Sequence, residues 1–385
     1  MNILFLLHSY PKIGGIEMVT QSVSRYLSER GHNIYYLARI ADPTLPADRE
    51  RCFYFPPKKQ RRDAEYFNRL VERLRIDAII NQGPFLPFTS ILGNPDRDPR
   101  VRLFTFDHFT PGHEFERIKW VWMSERRPLP RLFKRLKTAL GLNTLQYNPE
   151  RYRRQYRRLY DLSEHTVVLA PEYLPMFRDA YRLPETSKLL CMPLASRYAC
   201  DSPALSDILA RKRRTVLFVG RLEFESKRVD RLLGIWRSIP DKAGWRLKIA
   251  GDGPHRAELE RLVREQRIES VEFLGAQNDL RPLYEEAAAV VLTSTYEGYG
   301  LCFVEGIQFG AVPLAFDVSP ANRSLFEAIA PELLIAPFDL DAYAAQLRRI
   351  MTDSAWRRDL AEKALRKAAD YTEERIGRLW DELLA

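Results

Sequence analysis

The feature that leaves this chain fewest options is a rhythm that occurs twice: short apolar runs of strand length, separated by segments long enough for helices. The first set of strand-like runs lies at 2–8, 33–39, 77–81, 101–106 and 165–170. After residues 2–8, a continuous apolar run, come Gly14-Gly15 and then Ile16, Val19, Val23, Tyr26 and Leu27 at helical spacing, with Gly31 where a helix would stop. A second, cleaner set predicts strands at 215–221, 245–250, 271–274, 289–293, 311–316 and 332–336. Helices are expected between them near 228–238, 254–267, 279–288, 301–309 and 320–329, with Pro254 at a first helical position, and three more close the chain at 340–351, 354–370 and 373–384. Strands alternating with helices mean parallel sheets covered on both faces, so the fold class is α/β. The 385 residues exceed what one core organises. The expected division is a first domain over 1–195, a polar linker over 196–213 with the basic run Arg211 to Arg214, a second domain over 214–370 and a terminal helix over 371–385. Two such domains facing each other enclose a central cleft at the carboxyl ends of their strands, where sheets of this kind bind ligands.

Composition narrows the class. Hydrophobic residues at 45% and charged residues at 29% are the balance of a folded globular protein. No apolar run reaches the roughly 20 residues of a spanning helix, and the start, Asn2 to His8, lacks the basic leader and cleavage site of a signal peptide. Cys52, Cys191, Cys200 and Cys302 are scattered, without zinc or redox spacing. A cytoplasmic protein is expected.

Four clusters carry chemistry. At Gly14-Gly15-Ile16-Glu17 the glycines let backbone N–H groups approach an anion, to which the following helix adds its positive end; the alternative is a tight turn without a ligand. Gly220-Arg221-Leu222 leaves a strand end with Lys227 six residues beyond Arg221, and the two cations can hold a diphosphate and neutralise its charge as it departs; the alternative is a pair of solvated cations. Glu297-Gly298-Tyr299-Gly300-Leu301 follows a strand, with Glu305 about a turn into the next helix, so both carboxylates can face the cleft and accept from sugar or ribose hydroxyls. Gly300 and Leu301 offer N–H groups to a phosphate at the helix start, and here the alternative is that the glutamates are ordinary surface charges. Asp107-His108 ends the run Val101 to Phe106, where a histidine can donate to a substrate hydroxyl, although an isolated histidine is often structural.

Together, Glu297 and Glu305 with seven residues between them, Gly220-Arg221 with Lys227, Gly251-Asp252-Gly253-Pro254, Phe273-Leu274-Gly275 and Gly14-Gly15 resemble the retaining glycosyltransferases of family 4. The likeness is strongest over 214–317 and looser towards both ends. It implies the GT-B architecture of two Rossmann-like domains, with the last helix crossing back to the first domain through Trp380. It implies that Gly15, with Gly14, lies against the donor diphosphate while Arg221 and Lys227 bind it from the other domain. Glu297 would hold the donor sugar and Glu305 the ribose, with Gly251, Gly275, Gly300 and Leu301 completing the donor site. His108 would contact the transferring sugar, making His108, Glu297, Arg221 and Lys227 the catalytic set. The resemblance implies no metal and no cofactor beyond the substrate, a nucleotide sugar with uridine as the expected base. It implies retention of anomeric configuration, with the leaving phosphate helping to deprotonate the acceptor. A glycan or lipid-linked acceptor in bacterial surface polysaccharide or lipopolysaccharide synthesis follows by the same analogy. The chain departs from the family in a shorter glycine stretch at the first loop and in Asp107-His108-Phe109, where a histidine followed by aspartate or glycine is usual.

The formal charge of +9 is concentrated: 114–158 holds thirteen basic residues against four acidic ones, among Trp120, Trp122, Phe133, Tyr147, Tyr152 and Tyr156. An elaboration of the first domain over 114–160 that meets the anionic inner face of a cell membrane is one reading; a solvated face whose aromatics pack inward is the other. A protein that only binds nucleic acid or anions would leave the 220–305 cluster unexplained. Within enzymes, a sugar-nucleotide epimerase or a phosphorylase of similar architecture is the runner-up.

Overall fold

The computed structural model describes residues 1–12, 14–42, 45–56, 60–83, 86–113, 149–198 and 205–385. Among these, one compact unit gathers the described residues of 1–113, 149–197 and 376–385, and a second those of 198–375.

Unit 1 is built on seven parallel strands, β1 (Asn2–Ser9), β2 (Asn33–Ile40), β3 (Cys52–Tyr54), β4 (Ala78–Asn81), β5 (Arg102–Asp107), β6 (His165–Val168) and β7 (Leu189–Cys191). They lie in the order β3-β2-β1-β4-β5-β6-β7. Ile3 to Leu7 are at most 1% exposed because β1 is covered on both faces. Leu4 and Leu6 join Phe67 and Leu70 of the helix Gln60–Arg73 and Ile91 of the helix Leu86–Leu92 in one core cluster. The intervening Phe5 meets Trp380 of the last helix, Glu373–Leu384, at 6.5 Å between rings. Trp380 also stacks on Phe106 at 4.7 Å. Tyr26, on the helix Gly15–Glu29, donates to Asp381 at 2.8 Å, and Arg102 donates to the Leu384 carbonyl at 2.7 Å.

Two strands of this sheet, β3 and β7, are absent from the sequence reading. Each has three residues and stands at a sheet edge, too short for any pattern to show. Part of the expected linker is the helix Leu205–Arg211. Of the basic and aromatic stretch, 114–148 lies outside the described residues. The helix Pro149–Leu162 turns Tyr156 and Tyr160 inward, 4% and 2% exposed, with Tyr156 stacked on Tyr181 at 3.9 Å. Its Arg151, Arg154 and Arg157 face out. In this helix Tyr156 and Tyr160 serve the core and do not form a membrane-facing stripe. No described helix is long and apolar enough to cross a membrane.

Unit 2 repeats the plan with β8 (Thr215–Val219), β9 (Arg246–Ala250), β10 (Val271–Gly275), β11 (Ala289–Leu292), β12 (Val312–Phe316) and β13 (Leu334–Ile335), all parallel in the order β10-β9-β8-β11-β12-β13. β8 stops at Val219, two residues before the expected end, which frees Gly220 and Arg221 for a loop. The helix expected from 254 starts at Arg256; Pro254 lies in the turn before it, closed by the Arg256 N–H to the Gly253 carbonyl at 3.2 Å. The 320–329 segment begins as one 3-10 turn, Pro320–Asn322, before its α-helix. Asp339 and Asp353 cap the helices Leu340–Thr352 and Ser354–Ala368 by accepting from the Ala342 and Trp356 N–H groups, each at 2.9 Å. Tyr343 carries its hydroxyl to the end of β11 and the middle of β12, 3.1 and 2.9 Å from the Leu292 and Leu314 carbonyls.

Candidate functional site

In unit 2 the turns after β8, β9 and β10 are laced together by backbone. The Gly220 N–H donates to Ala250, Leu222 to Asp252 and Gly251 to Gly275, at 3.0, 2.9 and 2.8 Å. Gly251 has φ +143°, and a Cβ there would fall on the Gly220 carbonyl, so only glycine allows this approach. Across β8 the loop carrying Lys227 is tied to the loop after β11. The Thr295 N–H donates to Ser226 at 2.7 Å, and the Thr293 hydroxyl donates to Arg228 at 3.0 Å.

Those ties place Lys227 against Glu297, Nζ to Oε2 2.5 Å, with the Ser294 hydroxyl donating to the same oxygen at 3.2 Å. The two side chains are 20% and 14% exposed, so the pair is largely but not wholly withdrawn from water. Burial alone would lower the Lys227 ammonium, but attraction from Glu297, aided by Glu223, leaves it above its ordinary value. Lys227 is therefore a fixed cation. Arg221 is more open, 63% exposed, with its Nε 3.4 Å from Glu223. Gly300, at φ +70°, turns the chain into the helix Leu301–Ile307, whose first internal bond is the Phe303 N–H to the Gly300 carbonyl at 2.8 Å. The amides of Leu301 and Cys302 precede that bond, as first-turn donors do.

Glu305 is 4% exposed and accepts from the Tyr284 hydroxyl at 2.7 Å, on a helix that is buried on every side from Cys302 to Ile307. Of the two carboxylates expected to face a ligand, Glu297 is partly open and Glu305 is enclosed. Burial also pushes the Cys302 thiol up.

Gly14, Gly15 and His108 belong to unit 1. Gly14 is the extended residue before the helix Gly15–Glu29, and the Glu17 carboxylate folds back beside it, its pKa raised by burial. Nothing stands within 4 Å of where a Cβ on Gly15 would be. His108 is 7% exposed, with its Nε2 2.5 Å from Gln82 Oε1. Burial holds it down at about 4, so the ring is uncharged at neutral pH. It lines a small cavity with Val19, Gln82, Met192 and Trp380, whereas Asp107 points into a separate one with Tyr156 and Phe177. Sequence reasoning missed Gln82, although it closes β4 as His108 closes β5; a polar Asn81-Gln82 after an apolar strand was the signal. Among the described residues no three His, Cys, Asp or Glu side chains gather as metal ligands would.

Residues 206–367 match the family model described as glycosyl transferases group 1, and residues 13–187 match glycosyltransferase family 4. The fold aligns over 98% of this chain and 99% of WaaG, a glycosyltransferase involved in lipopolysaccharide biosynthesis, with a TM-score of 0.68 at 19% identity. The chain belongs to the GT-B glycosyltransferases. Within that group it also aligns with Anabaena Alr3699/HepE in complex with UDP-glucose, over 100% of this chain and 99% of that one, with a TM-score of 0.71 at 17% identity. Among curated relatives it is 31% identical over 180 residues to the amylovoran biosynthesis glycosyltransferase AmsD of Erwinia amylovora, which is 46% of this chain and 50% of that protein. Such matches span about half the length of the relative.

Proposed function

We propose that the chain transfers a hexosyl group from a nucleotide-diphosphate sugar, with uridine as the base, to a glycan or lipid-linked acceptor in the assembly of a bacterial surface polysaccharide or lipopolysaccharide. The observation that carries this reading is the Lys227–Glu297 pair beside the Gly300–Leu301 helix start. A diphosphate would take Lys227, Arg221 and the first-turn amides, and the carboxylate released from Lys227 would accept from sugar hydroxyls. The roles of the relatives, amylovoran and lipopolysaccharide synthesis, support the choice of product class.

In the proposed reaction the bond from the anomeric carbon to the diphosphate oxygen breaks and a bond to the acceptor oxygen forms on the same face. The acceptor proton passes to an oxygen of the leaving phosphate, and no protein nucleophile takes part. Lys227 and Arg221 would neutralise the charge that grows on the leaving group, so the proposal needs no metal ion. Incubation with UDP-glucose and related donors in EDTA, with anomeric analysis of the product by NMR, tests it. The expected result is UDP release with retained configuration. An inverted product, or no binding of UDP, GDP or ADP by calorimetry, would overturn the reading.

A further inference from the structure

Gln82 follows β4 immediately and is 1% exposed. Its carboxamide oxygen, 2.5 Å from His108 Nε2, can only accept, so that ring nitrogen carries the proton and donates. Its own NH2 group makes no hydrogen bond among the described residues. An unpaired buried donor lowers stability, and a methionine of similar length would suit a cavity lined by Val19, Phe106, Met192 and Trp380 better. The glutamine therefore weakens the fold at this point, and what it supplies is control of one imidazole.

We propose that Gln82 is a positioning residue that locks His108 in its Nε2–H tautomer, so that the ring meets a substrate hydroxyl through Nδ1, as an acceptor and neither as a donor nor as a cation. This rests on the sugar-transfer reading above. The surroundings favour the neutral ring from every side. Val19 and Val23 face it from the first helix, Met192 to Ala195 from the loop after β7, and Ile376 and Trp380 from the last helix, none of them titratable. Its chain neighbour Asp107 points into the other cavity. With no charged partner among the described residues, the burial of the ring keeps its protonation at about 4.

The test uses the full chain with 15N-labelled histidine, the His108 signals being assigned by their loss in His108→Asn. Long-range proton–nitrogen spectra near neutral pH should show the Nε2–H tautomer in the wild type and its loss in Gln82→Met, which should melt no lower than the wild type. UDP release from UDP-glucose should slow by about 10-fold or more in Gln82→Met with KM changed less than about 3-fold, the size expected for the loss of one hydrogen bond that orients the transferring sugar. Gln82→Glu, which sets a carboxylate against the ring, should charge His108 and move the acid limb of the pH profile upward. An Nδ1–H tautomer in the wild type, or a Gln82→Met protein with the wild-type tautomer and rate, would overturn the proposal. If the wild type releases no UDP from UDP-glucose, that donor is wrong for the enzyme, while the tautomer spectra still decide the role of Gln82.

Discussion

Lys227 and Glu297 each satisfy a charge that the other would leave stranded in a partly dry site, so neither can be removed quietly. Lys227→Ala and Glu297→Ala are each expected to cut turnover by about 10²–10³-fold while circular dichroism stays native, the range for losing one preorganised electrostatic contact. The double variant should be little worse than the poorer single, since the two act as a unit; initial rates for all three check this. His108 gives a pH signature. Its folded pKa, about 4, lies below the ordinary 6.5, so the unfolded chain binds more protons between those values. Stability is therefore full above about 6.5 and falls as pH drops towards 4, by on the order of 3 kcal/mol from this residue. His8 and His32 are lowered by burial as well and act in the same direction. Replacing His108 by asparagine should flatten, but not abolish, the acid slope of urea-melt stabilities.

At the scale of turns and helices, three glycines separate folding from binding. Gly251→Ala forces a left-handed φ and drives a methyl into the Gly220 carbonyl, and it should lower stability by about 3 kcal/mol, read from denaturant midpoints. Gly15→Ala meets no atom and adds a better helix former, so its melting point should hold or rise. If its turnover nevertheless falls, the space belongs to a ligand; unchanged turnover would remove Gly15 from the donor site. Gly377 lies in a helix, where alanine is normally favoured, yet a Cβ there would strike the Tyr26 ring. Gly377→Ala is expected to destabilise the protein, and Gly377→Ala with Tyr26→Leu to recover part of the loss.

For the molecule as a whole, the α/β rhythm was legible because buried parallel strands are written as uninterrupted apolar runs, Ile3 to Leu7 being the plainest. β3 and β7 were not, since three residues at a sheet edge carry no period. The motif at 297–305 was legible as a spacing, but the burial of Glu305 was not, because its helix is enclosed on every side from Cys302 to Ile307 and has no polar face to read. Tyr156, Leu159 and Tyr160, three and four residues apart, share the buried face of one helix, which fits the inward-packing alternative there, while the amphipathic stretch behind the membrane reading lies outside the described residues. Gln82 escaped because a single polar residue after a strand means little until its neighbour in space is known.

Unit 1 takes its last helix from residues that the ribosome adds only after the whole of unit 2. Until then Phe106 lacks the Trp380 ring and Tyr26 its Asp381 acceptor, leaving an oily gap on a half-made sheet. A nascent chain halted near residue 370 should accordingly present a protease-resistant second unit beside a first one that is still readily cut, until residues 376–385 act as the closing stitch.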